Sequence, residues 1–120
     1  MFSETVRRIL ADPAHMGEFV GATHKGVAGV PGDGPYLILW LQIVRDTIVR
    51  AAFQTYGCPS AVASGSMLAT LITGRTVEKA SLLTTEDLLL VLGGLPAGKE
   101  YCAELGINGL KSALKGMVES

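Results

Sequence analysis

The sequence predicts an α+β fold in which helices cover one face of a small antiparallel sheet. Three observations lead there. Segments 36–44 and 47–56 both have strand character and are separated by a two-residue polar turn, Arg45-Asp46. After Gly57 the pattern changes to helical spacing and helix-capping residues. Apart from one short opening helix, strands precede helices rather than alternating with them, an order that suits α+β better than a parallel α/β sheet.

Ser3 is a candidate N-cap for the opening helix, which carries Val6, Ile9 and Leu10 on one side and stops at Asp12-Pro13. Glycine recurs from Gly17 to Gly34, with a short strand expected near Phe19 to Val27. Val30 to Pro35, VPGDGP, is a loop, since glycine and proline supply dihedrals that regular elements do not use. Tyr36 to Val44 is an almost unbroken apolar run, a strand with both faces expected to be covered. Thr47 to Tyr56 is the return strand, with Val49, Ala51 and Phe53 expected on one face and Arg50, Ala52 and Gln54 on the other.

Ser60 to Thr73 is a helix with Met67, Leu68, Leu71 and Ile72 at helical spacing, closed by Gly74. Thr76 opens a short helix. Thr84 caps another over Thr85 to Leu92, whose positive end favours Glu86 and Asp87. Gly93-Gly94-Leu95-Pro96 breaks the chain, and a last helix is expected from about Gly98 to Val118, with Ile107, Leu110, Leu114 and Met117 on its buried stripe. Gly106 and Gly109 inside it each cost about 1 kcal/mol against alanine, which tight packing on a neighbour would explain.

The bulk numbers narrow the function. With 120 residues, 48% hydrophobic and 18% charged, the chain suits one compact domain, 1–120, with a real core. A net charge of −1, a pI near 6.1 and few aromatics argue against nucleic-acid binding. Mean hydropathy is high, +0.38, yet the longest apolar run falls far short of the roughly 20 residues of a membrane span. No signal-peptide pattern opens the chain, and a cytoplasmic protein is expected. Neither GxGxxG nor GxxxxGK[ST] is present, and no Ser/His/Asp constellation stands at a recognisable spacing, so an enzyme is not expected.

Two cysteines remain, Cys58 and Cys102. Their separation of 44 positions fits no CxxC motif, and on spacing alone they read as unrelated buried thiols. Their local settings say more. Cys58 lies between a strand end and a helix start, and Cys102 lies near the first turn of the last helix. Helix N-termini lower thiol pKa values, so both are expected to favour the thiolate, the form that binds metal or attacks sulfur. Asp33, in the VPGDGP loop, is the third residue outside the regular pattern; a turn residue between glycines is its other reading.

These segments resemble the NifU/IscU-type family of iron–sulfur cluster scaffolds. FQTYGCPSAVASGS is similar to that family's "FxTxGCGxAIASSS", and GGLPAGKEYC to "GGLPPxKxHC". Between them LITGRTVEKA and TTEDLLLVLGGLP follow "VKGKTLDEA" and "ITNEDIAxxLGGLP" in order; upstream, ADPAHMGEF resembles "ENPRNVGxF", and GVPGDG stands where the family has "GxPxCGD". The resemblance spans nearly the whole chain. It implies a SufE/NifU-like fold with a three-stranded antiparallel sheet and a [2Fe-2S] cluster assembled on three cysteines, an aspartate and a histidine. It also implies a cysteine desulfurase as sulfur donor, cluster-recipient proteins and chaperones as partners, and zinc in the same place in some members.

Carried over by residue, Cys58 matches the family's second cysteine, Cys102 its third and Asp33 its aspartate. Pro31, immediately before Gly32-Asp33, stands where the first cysteine is expected, and Tyr101 replaces the histidine. The chaperone motif "LPPxK" persists loosely as Leu95-Pro96-Ala97-Gly98-Lys99. Three readings follow. The first is a scaffold-like protein binding iron, a [2Fe-2S] cluster or zinc through Asp33, Cys58 and Cys102, which are then expected to converge; water, an exogenous thiol or His24 would complete the set. The second is a persulfide acceptor using Cys58. The third is a partner-binding module that keeps the fold without the metal.

Overall fold

A computed structural model describes residues 1–118. The opening helix, α1 (Glu4–Ala11), is capped as expected: the Ser3 hydroxyl accepts from the Val6 amide. That same hydroxyl donates to the Leu92 carbonyl and so ties the helix start to the far half of the chain. Three strands follow, β1 (His24–Gly29), β2 (Tyr36–Val44) and β3 (Thr47–Tyr56), in the antiparallel order β1-β2-β3. The three-stranded α+β architecture is therefore the one expected. The first strand begins later than the sequence suggests, because Gly17 and Gly21 take positive φ (103° and 99°) and turn the chain before pairing can start. Arg45 and Asp46 both have positive φ, 51° and 64°, the conformation of a tight hairpin turn matched to strand twist.

Leu37, Leu39 and Leu41 of β2 point inward and are fully buried, whereas Tyr36 and Ile38 on the other face are only partly covered. The two-sided burial expected for this strand is thus complete on one side only. In β3 the inward set is Ile48, Ala51 and Phe53; Val49 is exposed rather than buried. A bulge is the cause. Gln42 pairs with Arg50 and Ile43 with Ile48, so Val49 has no opposite number and the alternation slips by one residue.

Four helices complete the chain: α2 (Pro59–Ile72), α3 (Val77–Ala80), α4 (Thr85–Leu92) and α5 (Tyr101–Lys115). Thr84 and Asp87 form a reciprocal capping box at the start of α4, and Gly93 ends it at φ 74°. On the inner face α5 lies over β1 and β2, and α2 lies over β3. The last helix is shorter than expected at both ends. Gly98 sits at φ 85°, outside the right-handed helical region, so α5 cannot begin there. At the other end Gly116 closes it, and the tail turns back along β1: the Lys25 amide donates to the Gly116 carbonyl at 2.8 Å and the Val118 amide to the Thr23 carbonyl at 2.7 Å. Met117 pairs beside His24 and is exposed, not part of the helical stripe. The tail covers what would be a bare sheet edge.

Two helix–sheet approaches depend on missing side chains. A Cβ on Gly26 would overlap the Ala113 backbone and stand 2.5 Å from the Gly109 carbonyl oxygen; one on Gly109 would stand 2.6 Å from Leu37 Cδ2. A Cβ on Gly65 of α2 would be 2.5 Å from the Phe53 ring. Gly106, by contrast, has ordinary room, its nearest neighbour being Leu68 at 3.5 Å. Among the described residues no helix is long and apolar enough to cross a membrane.

Candidate metal and sulfur site

Three turns gather at one end of the sheet. Tyr36 and Tyr56, at the paired ends of β2 and β3, stack with ring centroids 6.0 Å apart. The VPGDGP loop enters here. A Cβ on Gly57 would touch Pro35 at 3.8 Å, so the foot of that loop runs beside the turn holding Cys58. Cys58 is the N-cap residue of α2, with extended backbone, and Pro59 follows at the first helical position. Cys102 is the second residue of α5, and its amide donates to the Lys99 carbonyl at 3.0 Å.

The two sulfurs lie 3.8 Å apart. Their expected convergence is present, and they do not point into separate apolar regions. Access differs sharply: Cys58 is half-buried, while Cys102 is 1% exposed. Their electrostatics differ accordingly. Burial pushes the Cys58 thiol up, but the Ala61 and Ser60 backbone amides at the helix start, helped by Cys102 and the Ser60 side chain, outweigh it and leave the pKa below the ordinary thiol value. Burial pushes Cys102 up to about 11, assisted by the hydrogen bond with and the charge on Cys58, against smaller opposing effects of Tyr101 and Lys99. The expectation that both thiols favour the thiolate is therefore corrected. Cys102 is near a helix start, but desolvation wins and favours its protonated form.

Asp33 stands apart from the thiol pair. It is exposed, its amide donates to the Val30 carbonyl at 2.9 Å, and it closes a turn. Among the described residues no three His, Cys, Asp or Glu side chains gather closely enough to hold a metal. The expected convergence of Asp33, Cys58 and Cys102 is thus seen only for the thiols, since the glycines flanking Asp33 leave its loop projecting into solvent. His24 is not placed to help. It pairs with Leu41, five residues along the strand from Tyr36, about 17 Å at the usual rise, and its Nδ1 is engaged by the Thr23 hydroxyl.

Tyr101 stands at the rim, with Lys99 Nζ 5.9 Å from its ring centroid. Negative charge on Cys102, and more weakly on Cys58, pushes its hydroxyl above the ordinary tyrosine value. One residue escaped sequence reasoning. Ser60 is 1% exposed, and its hydroxyl has no hydrogen-bond partner among the described residues, yet it lies close enough to Cys58 to lower that thiol's pKa. Its place in the first turn after an N-cap thiol is the signal that could have found it.

Comparison with known proteins supports the kinship carried by these segments. A family model described as the NifU-like N terminal domain matches residues 1–119. The chain is 31% identical over 114 residues to an iron–sulfur cluster assembly scaffold protein, IscU 1, of Archaeoglobus fulgidus, covering 95% of this chain and 74% of the relative. It is 33% identical over 116 residues to the scaffold protein IscU of Aquifex aeolicus, again 95% and 74% of the two chains. In shape it is similar to a candidate scaffold protein for the SUF system from Fervidobacterium islandicum, with a TM-score of 0.72, 22% identity and coverage of 94% and 96%. The chain belongs to the NifU-like N-terminal domain family.

Proposed function

We propose that this protein is a scaffold for iron–sulfur cluster assembly that holds its metal cargo through Cys58 and Cys102. It would do so without being an enzyme itself. One observation carries the reading: the sulfur–sulfur distance of 3.8 Å. Two thiolates on one tetrahedral ion, each about 2.3 Å from it, stand about 3.8 Å apart. The pair therefore already spans one edge of a tetrahedral site. Soft thiolates suit iron in a cluster, and zinc equally well.

The remaining positions fall to Asp33, carried on the adjacent loop, and to an exogenous ligand or a partner's side chain. The lowered pKa of Cys58 favours the first bond. Cys102 must give up its proton on binding, so metal uptake releases protons and strengthens as pH rises. Family membership supports a cysteine desulfurase and cluster-recipient proteins as partners, and the Leu95-Pro96-Ala97-Gly98-Lys99 segment, immediately before α5, supports a chaperone contact.

The test is anaerobic reconstitution of the full chain with iron and sulfide, and separately with zinc, followed by metal analysis and visible absorption. One metal site or cluster per chain is expected, with loss in Cys58→Ala. Undiminished metal stoichiometry in Cys58→Ala would remove the reading.

A further inference from the structure

Cys58 and Cys102 are the chain's two thiols. They sit 3.8 Å apart, one half-buried at a helix cap and one 1% exposed behind it. That is the build of a dithiol: an outer sulfur that meets a reactant and an inner sulfur within reach of the first. Beside them is Ser60, 1% exposed, whose hydroxyl lies near Cys58 and has no hydrogen-bond partner among the described residues.

We infer that the pair reduces sulfane sulfur: Cys58 takes a sulfur atom from a persulfide, and Cys102 displaces it as sulfide, leaving a Cys58–Cys102 disulfide. This goes beyond metal holding and beyond simple persulfide acceptance, and it requires only the two thiols. In the first step Cys58 thiolate attacks the outer sulfur of a donor persulfide. The donor's S–S bond breaks, the donor leaves as its thiolate, and Cys58 carries the extra sulfur. In the second step Cys102 attacks Cys58 Sγ. The bond between Cys58 and the extra sulfur breaks, that sulfur leaves as hydrosulfide, and the Cys102 proton departs with it. The sulfane sulfur gains two electrons and the two cysteines lose them. A reducing dithiol then attacks the disulfide and restores both thiols, becoming a disulfide itself.

Geometry favours the second step. The sulfurs need to close from 3.8 Å to the bonding distance of about 2.05 Å. Cys58 is the one to move, because it is only half-buried and caps a helix on extended backbone. Cys102 is fixed in the core. With no other cysteine in the chain, the persulfide has one intramolecular thiol to meet.

The experiment mixes the reduced, metal-free full chain with one equivalent of a small alkyl persulfide, which transfers its sulfur and leaves as a thiol. Sulfide is trapped and measured, and the protein is weighed by mass spectrometry. The wild type is expected to release about one sulfide per chain and to lose the mass of two hydrogen atoms, with peptide mapping showing Cys58 joined to Cys102. Dithiothreitol should restore both thiols. Cys102→Ser, its fold checked by circular dichroism, should keep one added sulfur on Cys58 and release about tenfold less sulfide. Equal sulfide from wild type and Cys102→Ser would overturn the inference. So would a wild type that retains the added sulfur or forms no mapped disulfide, a readout that needs no variant. Zinc titration of the same reduced protein reads the scaffold proposal separately: zinc binding without sulfide release ends only this inference, and sulfide release without zinc or iron binding ends only that proposal.

Discussion

The seams between helices and sheet and the thiol-bearing end of the molecule are built on opposite terms. At the seams, contact is so close that side chains are excluded: Gly26 meets the α5 backbone, and Gly65 meets the Phe53 ring. Each position is constrained from several sides at once. At the other end, residues 30–35 are exposed, Cys58 is only half-buried at its helix cap, and one inner anchor, Cys102, ties the site to the core. Stability is concentrated in the first region and chemistry in the second. Binding metal or exchanging sulfur requires ligands that can shift, and a site made of turns around one fixed thiol allows that without disturbing the core.

The sharpest way to break this contrast is Gly26→Ala. The added methyl would run into backbone rather than a movable side-chain tip, so α5 must lift from β1. A loss of about 3 kcal/mol or more is expected in denaturant unfolding. A variant as stable as the wild type would show that the seam yields. Gly65→Ala should follow at about 2 kcal/mol, because Phe53 is fully buried and its ring has little space to retreat into.

Which parts were legible in the sequence follows from the same contrast. β2 and β3 were read with their observed limits because apolar runs and a polar turn are local signals. The inward face of β3 was misread at Val49, since a bulge is a property of the pair of strands and leaves no mark in one of them. The start of α5 was set too early because the φ of Gly98 is decided by the turn it closes. Gly109 was read as a packing glycine, and it is one; the partner, Leu37, was not readable. At the site, the positions of Cys58 and Cys102 at helix starts, together with the family segments, brought the two thiols together on paper. The burial that separates their protonation, and the unpartnered Ser60 hydroxyl, depend on tertiary packing and have no local signature.

The two thiols also predict a pH dependence, with opposite signs. Cys58 has a lowered folded pKa, so its contribution is present above the unfolded value of 9.0 and is lost as pH falls through the folded value. Cys102 has a raised pKa, about 11 against 9.0, so its contribution is present below 9.0 and is lost as pH climbs toward 11. The thiol-linked part of stability should therefore crest near pH 9. Above that, the wild type should lose on the order of 2 kcal/mol relative to Cys102→Ser, which does not titrate. Parallel unfolding curves for the two proteins from pH 9 to 11 would show that Cys102 is not held as the neutral thiol.

Asp33→Asn should have the smallest effect on stability and separates the two regions most cleanly. Asp33 is exposed, and asparagine serves a turn between glycines as well as aspartate does, so unfolding should change by less than about 0.5 kcal/mol. Metal binding is a different matter. Asparagine keeps the shape but removes the charge that a third ligand would bring, so zinc affinity, measured by competition with a chromophoric chelator, should fall about tenfold or more if the loop closes onto the thiol pair. Unchanged affinity would leave Asp33 as a turn residue alone. The cargo would then rest on two thiols from this chain, and everything else in its coordination sphere would have to come from outside it.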